Sequence, residues 1–300
     1  MSKQIIVVAG GTGNLGGRIT MALLDKGAEV RVLVRSTSDI KKINQLEQVG
    51  AKVISVDMTN ENEISTASSG ASCVVSALAG LHDVIIDAQK VLLNGAIAAG
   101  VPRFIPSDYS LDFTGFKDGE NRNLDLRRTF HQYLDDTSIA ATSIFNGAFM
   151  DMLTNEIPMI IFKKKLVLYW GNADHKIGFT TLDDTAMFTA NVALDVSTPR
   201  YLRISGDQIS PEEIREVMNK VSGQKFRLIR TGGLGLLSIL IKVAKLFSPG
   251  KTKIYPAWQG MQYMRNMMDD RANLNTIDNS RYPDMKWTTV RDLLSNHKPV

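Results

Sequence analysis

Seven residues near the start of the chain, Gly10-Gly11-Thr12-Gly13-Asn14-Leu15-Gly16, have the composition and spacing of a phosphate cradle. Gly11, Gly13 and Gly16 give the G-x-G-x-x-G spacing, and Gly10, Gly13 and Gly16 the wider G-x-x-G-x-x-G. In either form the glycines permit a tight turn and bring backbone N–H groups against a pyrophosphate, which then rests on the N-terminus of the following helix. The setting sharpens the reading, because the apolar run Ile5–Ala9 precedes the motif and an amphipathic stretch follows it. A glycine-rich turn with no ligand is the plain alternative.

The next apolar run, Val30–Val34, ends in Arg35-Ser36-Thr37, with Lys41 and Lys42 just beyond. A cofactor with a free ribose 2′-hydroxyl asks for an acidic side chain at that point. The nearest acid, Glu29, stands at the opposite end of the run. A guanidinium pairs instead with a 2′-phosphate and stacks on adenine, and Ser36 can add a hydrogen bond. The expected cofactor is therefore NADPH; a solvated arginine at a strand end is the other reading. Asp57 and Met58, after the third apolar run, stand where they can flank the adenine.

Candidates for acid–base work are few. Tyr109 could donate a proton to a reduced carbonyl, or it packs its ring at a strand end and leaves its hydroxyl in water. His131 follows Arg127 by four residues and shares its helix face, so it is a second candidate donor; a surface histidine is the plainer outcome. Cys73 lies in the apolar run Ala71-Ser72-Cys73-Val74-Val75 and reads as core rather than nucleophile. Four histidines and one cysteine show no metal-ligand spacing, so no metal is expected. Tyr169, Trp170, Phe179, Trp258, Met261, Tyr263, Met264 and Met268 suit either an adaptable apolar pocket or ordinary core. Lys163-Lys164-Lys165 reads as a solvated turn.

The elements that must position these groups alternate at the pace of βαβ units. Strands are expected at Ile5–Ala9, Val30–Val34, Val53–Val56, Cys73–Ala77, Phe104–Ile105 and Ala141–Phe145. Helices are expected after the glycine motif as far as Gly27, from a Ser38 cap to Gly50, over Asp83–Ala99 and over Asn123–Leu134. This rhythm implies an α/β fold with a Rossmann-type doubly wound parallel sheet. Residues 1–150 form the dinucleotide-binding domain on this reading, and 151–300 a smaller C-terminal substrate lobe whose segments can interleave with the first. In that half, strands are expected at Leu166–Trp170 and Tyr201–Ser205, and helices over Asp183–Leu194, from the Ser210-Pro211-Glu212-Glu213 capping box, over Leu234–Phe247 and over Met261–Met268.

The 300 residues are 44% hydrophobic and 22% charged, with net charge +4, an ordinary soluble composition. A surplus that small, with no basic stripe, argues against a nucleic-acid partner and fits an anionic cofactor. The most apolar stretch, Leu234 to Phe247, is too short to cross a bilayer, and no secretory signal opens the sequence, so a cytoplasmic protein with no membrane partner is expected.

Three segments together resemble a known family. The glycine motif, the strand exit Leu33-Val34-Arg35-Ser36-Thr37, and Ala99-Gly100-Val101-Pro102-Arg103-Phe104-Ile105-Pro106-Ser107-Asp108-Tyr109 are similar to the NmrA-like, isoflavone-reductase-like branch of the atypical short-chain dehydrogenases/reductases. Asn146-Gly147-Ala148-Phe149-Met150-Asp151 and Phe179-Thr180-Thr181-Leu182-Asp183-Asp184 extend the match. The resemblance implies an NADP-binding domain with a smaller substrate lobe. It implies that Ala77, Leu78 and Ala79 line the cofactor, and that Ser107, Asn146, Gly147 and Phe149 lie near the nicotinamide. Members of this family reduce phenylpropanoid-like aromatic compounds or quinones, or bind the nucleotide as regulators.

The chain departs from the family at one telling point. Family reductases carry a lysine on the helix after the fifth strand; here that position falls near Arg127, in Leu124-Asp125-Leu126-Arg127-Arg128. Arginine stays charged at any ordinary pH, so it cannot act as a general base, though it can orient a carbonyl. The Tyr-x-x-x-Lys pair of short-chain dehydrogenases is missing too, since Phe113 stands four residues after Tyr109. The expectation is an oxidoreductase passing hydride from NADPH to an apolar, aromatic or quinone-like acceptor. The alternative is a non-catalytic NADP(H)-sensing regulator that binds another protein.

Overall fold

In the computed structural model, residues 3–154, 157–248, 250, 252–272 and 275–297 are described. The chain divides into two compact units: 1–109, 126–144 and 185–202 form the first; 110–125, 145–184 and 203–300 form the second.

The first unit is built on six parallel strands: β1 (Ile5–Ala9), β2 (Glu29–Val34), β3 (Lys52–Ser55), β4 (Cys73–Ser76), β5 (Arg103–Ile105) and β6 (Ala140–Ala141). Their order is β3-β2-β1-β4-β5-β6. This is the doubly wound Rossmann order, in which the crossovers reverse between β1 and β4 and leave a crevice at their carboxyl ends. β1 is apolar throughout, β4 is apolar up to Ser76, and apart from Ile5 both are buried, as parallel strands covered by helices must be. The crossovers run through α1 (Asn14–Asp25), α2 (Ile40–Gln48), α3 (Glu61–Ser68), α4 (Gln89–Ala98) and α5 (Arg122–Asp135). α1 turns Ile19, Ala22 and Leu23 to the core and stops at Gly27, whose φ of +79° only glycine adopts without strain.

Several local expectations need correction. Asp39, not Ser38, caps α2, accepting a hydrogen bond from the Lys41 N–H; the Ser38 hydroxyl instead accepts from the Arg35 N–H and closes the preceding turn. The helix expected over Asp83–Ala99 begins with a π-helical stretch, Asp83–Ala88, before α4. The sixth strand splits: β6 completes the parallel sheet, whereas β7 (Ser143–Phe145) leaves it and pairs with β12 (Tyr201–Arg203).

The second unit holds two small sheets. One joins β9 (Ile160–Ile161), β10 (Leu166–Trp170) and β14 (Arg227–Gly232); the other joins β8 (Ala148–Phe149), β11 (Ile177–Thr180) and β13 (Asp207–Ile209). The later helices are α6 (Leu182–Leu194), α7 (Pro211–Ser222), α8 (Leu234–Phe247), α9 (Ala257–Met267) and α10 (Val290–Asn296). α7 opens with the expected capping box, with Ser210 and Glu213 satisfying each other's backbone N–H groups.

Phe179, Trp258 and Met268 are core residues, while Tyr169, Trp170, Met261, Tyr263 and Met264 are half-buried. The buried face of α9 carries polar residues beside Trp258 and Met267. Gln259, Gln262 and Asn266 lie on it, and Gln259 and Asn266 bond the Asn121 amide that caps α5. Among the described residues, no helix is long and apolar enough to cross a membrane, and no group of three acidic, histidine or cysteine side chains could hold a metal.

Candidate cofactor-binding site

The glycine turn leaves β1 at the crevice, and Gly10, Gly11 and Gly16 each have a steric reason. A Cβ on Gly10 would sit 2.5 Å from the Ala77 carbonyl oxygen, so the turn lies hard against the exit of β4. A Cβ on Gly16 would sit 2.2 Å from the Gly10 carbonyl oxygen, and one on Gly11 2.4 Å from a Val32 methyl. Gly13 differs: its φ is unexceptional, it is exposed, and a Cβ would meet only the Gly10 carbonyl oxygen, at 3.1 Å. Gly13 is also the N-cap of α1 and supplies no side-chain cap, so the first N–H groups of α1 lie open beside Thr12, Asn14 and Leu15. An anion finds there both unpaired donors and the positive end of the helix dipole.

The end of β2 adds cations. Arg35 and Ser36 are exposed, and Arg35 forms no ion pair among the described residues. The Lys42 ammonium donates to the Thr12 carbonyl at 3.1 Å, which brings a second cation onto the glycine turn. Its two-turn distance from Arg35 in sequence hid this role, although Lys42 was visible as a basic residue. Asp57 is exposed; hydrogen bonds from the Thr59 N–H and hydroxyl hold its carboxyl below the usual range. Met58 packs into the core beside Leu33, Val56 and Ile64.

The exits of β4 and β5 are tied to each other. The Ala77 N–H donates to the Ala9 carbonyl, and Ala79 is exposed. The Ser107 hydroxyl donates to the Leu78 carbonyl at 2.7 Å, and the Ser107 N–H donates to the buried Gln89 side chain at 3.0 Å. Gln89 was not legible as a site residue, because nothing local marks it.

Arg127, Asp108 and His131 form one buried cluster. Arg127 Nε donates to the Ser107 carbonyl at 3.0 Å. His131 is not at the surface: its Nε2 lies 2.6 Å from the Asp108 carboxylate, with both side chains buried. The Ser143 hydroxyl donates to the same Asp108 oxygen at 2.6 Å and accepts from Arg200, which pairs with Asp135. Burial alone would raise the Asp108 carboxyl, but His131, Ser143 and Arg127 overcome it and hold the group below its ordinary value. Tyr109 packs as expected, yet its hydroxyl is buried rather than wet, and burial pushes its pKa far above that of a free phenol. The Cys73 thiol is pushed up to about 12 by burial, which keeps it a neutral core group.

Asn146, Gly147 and Phe149 belong to the second unit. Gly147 has φ +68°, and a Cβ there would sit 2.3 Å from the Gly178 carbonyl oxygen, so close strand approach demands glycine. The Thr180 hydroxyl donates to the Asn146 carbonyl, while both polar atoms of the Asn146 side chain are buried with no partner among the described residues. Such an orphaned amide marks a place where a polar ligand or water belongs. Phe149 is half-buried.

A profile of the NmrA-like family matches residues 2–287. The chain belongs to the NmrA-like family. Among curated relatives of this NmrA-like protein is a bifunctional pinoresinol-lariciresinol reductase of Linum usitatissimum, 26% identical, with 98% of this chain and 99% of the relative covered. Among solved structures, one from a set of pinoresinol-lariciresinol and phenylcoumaran benzylic ether reductases superposes with a TM-score of 0.82 at 20% identity, covering 98% of this chain and 99% of the other. A further structure, solved with NADP+ and (+)pinoresinol, gives a TM-score of 0.78 at 22% identity over 98% and 99% of the two chains. These likenesses establish the doubly wound fold of the NmrA-like chain over nearly its whole length.

Proposed function

We propose that this protein is an NADPH-dependent reductase of a small, apolar aromatic compound, with quinone-like or conjugated acceptors preferred. The observation that carries the reading is the open glycine cradle at the N-terminus of α1, with Arg35 unpaired beside it and Lys42 folded onto it. The cradle fits a pyrophosphate, and two cations at the end of β2 fit a 2′-phosphate. The names of the relatives support the substrate class, since they are reductases of pinoresinol and lariciresinol.

The bound nicotinamide would supply a hydride. In this reading the turn N–H groups hold the pyrophosphate; Arg35, Ser36 and Lys42 hold the 2′-phosphate; and Ala77, Leu78, Ala79, Asp57 and Met58 flank the cofactor. Ser107, at the exit of β5, orients its reactive end. The guanidinium of Arg127, anchored on the Ser107 carbonyl, can donate a hydrogen bond that orients an acceptor carbonyl but cannot serve as a general base. His131 is engaged with Asp108, and Tyr109 holds its proton, so neither is a freely exchanging donor. Conjugated acceptors suit such a site because the anion left after hydride addition is delocalised and water can protonate it. General acid catalysis typically contributes about 10²–10⁴-fold, so its absence slows plain ketones most.

Stopped-flow oxidation of bound NADPH tests this against quinones, enones, aromatic aldehydes and simple ketones. Turnover of conjugated acceptors, and little of simple ketones, is expected; Arg127→Ala should slow it or weaken acceptor binding. The involvement of Arg127, His131 and Tyr109 in buried contacts also favours a second reading, the NADP(H) sensor. No turnover across the panel, together with a protein partner that distinguishes NADP+ from NADPH, would establish that reading instead.

The cradle itself gives a further prediction. Gly13→Val should retain the fold but lose affinity for NADPH and NADH alike, by at least about tenfold, because the side chain fills the phosphate's place. Gly16→Val should lower the melting temperature with or without nucleotide, because its Cβ meets backbone. Calorimetric titration and thermal melting separate the two; normal NADPH binding by Gly13→Val would move the phosphate site elsewhere.

A further inference from the structure

Helix α8 turns two of its large apolar side chains, Leu237 and Ile241, to the core of the second unit. Its opposite face is apolar as well. Leu236, Ile239, Leu240, Val243, Leu246 and Phe247 are exposed, the last two at 81% and 85%. A helix that is apolar all round is normally covered all round, and contiguous apolar patches of a few hundred Å² mark interaction surfaces.

The charge of this stretch of the chain argues for what covers the face. Between Val217 and Met268 the chain has nine lysine and arginine residues and no aspartate or glutamate, more than the net +4 of the whole chain. The surplus is therefore concentrated here, and the remainder of the protein is net acidic. Lys242 stands on the exposed face of α8, three residues from Ile239 and four from Leu246. Lys225, Arg227, Arg230 and Lys253 are also exposed, and none of these five meets a carboxylate among the described residues. The Lys245 ammonium lies over the Trp258 ring, 4.9 Å from its centroid.

We infer that the outer face of α8 docks on an anionic lipid surface, with the helix lying flat in the headgroup layer. Aliphatic side chains and a phenylalanine enter the acyl boundary while lysines beside them meet lipid phosphates and carboxylates, the pairing that holds interfacial helices. A second copy of the chain is a poorer occupant, because a two-fold contact would set this cationic patch against itself. The sequence expectation of no membrane partner rested on the length of this stretch. At 14 residues α8 is too short to cross a bilayer, but lying flat requires no such length.

Co-sedimentation of the full-length protein with vesicles tests the inference. Vesicles of phosphatidylcholine with about 30 mol% phosphatidylserine should bind it, phosphatidylcholine alone should bind it at least about tenfold less, and salt should weaken the binding. Leu246→Glu and Phe247→Glu should each reduce partitioning at least about tenfold with an unchanged melting temperature, since both side chains lie in solvent. Lys242→Glu and Lys253→Glu should reduce binding to the anionic vesicles. Failure to bind anionic vesicles, equal binding to neutral ones, or equal binding by wild type and Phe247→Glu would overturn the inference. So would a dimer in vesicle-free solution that Phe247→Glu dissolves, which would identify a second copy as the occupant.

Discussion

Arg35→Asp is expected to erase or reverse a preference for NADPH over NADH. The wild-type preference should be at least about tenfold, because a charge-assisted pair to a 2′-phosphate contributes about 1.5–3 kcal/mol, and each 1.4 kcal/mol is about tenfold. Aspartate removes that pair, repels the phosphate and offers an acceptor to a free 2′-hydroxyl, so the two affinities shift in opposite directions. Arg35 is exposed, so the preference should shrink as salt screens it, whereas binding at the glycine turn depends mostly on backbone donors. Lys42→Ala should weaken NADPH more than NADH, by less than Arg35→Asp does, because Lys42 also spends a donor on the Thr12 carbonyl. Calorimetric titration of both cofactors checks the set; a wild type that binds both equally would remove the assignment of Arg35.

What could be read from the sequence is what depends on neighbours along it. β1, the turn after it, the Gly27 stop and the capping box of α7 each state their structure within a few residues, and all four stand as read. α3 went unread because Glu61–Ser68 is mostly polar and carries only Ile64 and Ala67 as apolar anchors, too few for a 3.6-residue stripe. The break between β6 and β7 is invisible in the run Ala141–Phe145, because it follows from β7 finding β12 some 60 residues later, as the Ser143 N–H to Arg200 carbonyl bond shows. α9 shows the same limit from the other side. Its methionines have helical spacing, yet the fold gives its buried face largely to Gln259, Gln262 and Asn266, whose hydrogen-bond partners are Glu120, Asn121 and Arg122. The candidate site divides likewise. The glycine turn between β1 and α1 is local and was legible as a turn, whereas the burial of His131 depends on a carboxylate 23 residues away, which residue type alone places in solvent.

That carboxylate gives the second large effect. Asp108→Ala should destabilise the protein by about 3–5 kcal/mol, the usual penalty when a buried carboxylate is removed and the groups that it satisfies, the Arg127 guanidinium among them, stay behind. His131 and Ser143 would lose their shared acceptor, and Arg127 a nearby opposite charge. Asp108→Asn keeps the shape and one acceptor, so it should cost less at neutral pH and separate charge from packing. The pH dependence fixes the sign. The native Asp108 carboxyl sits below its unfolded value of about 3.9, so at acid pH the unfolded chain binds this proton first. Its contribution is therefore fully present above the unfolded value and is lost as pH falls through the lowered native one. Wild type should lose stability as pH falls below about 5, and Asp108→Asn should show a shallower loss across the same window. Chemical denaturation at a series of pH values reads both curves; parallel acid limbs would mean that Asp108 carries no native charge, and its role as the charged acceptor of this cluster would have to be withdrawn.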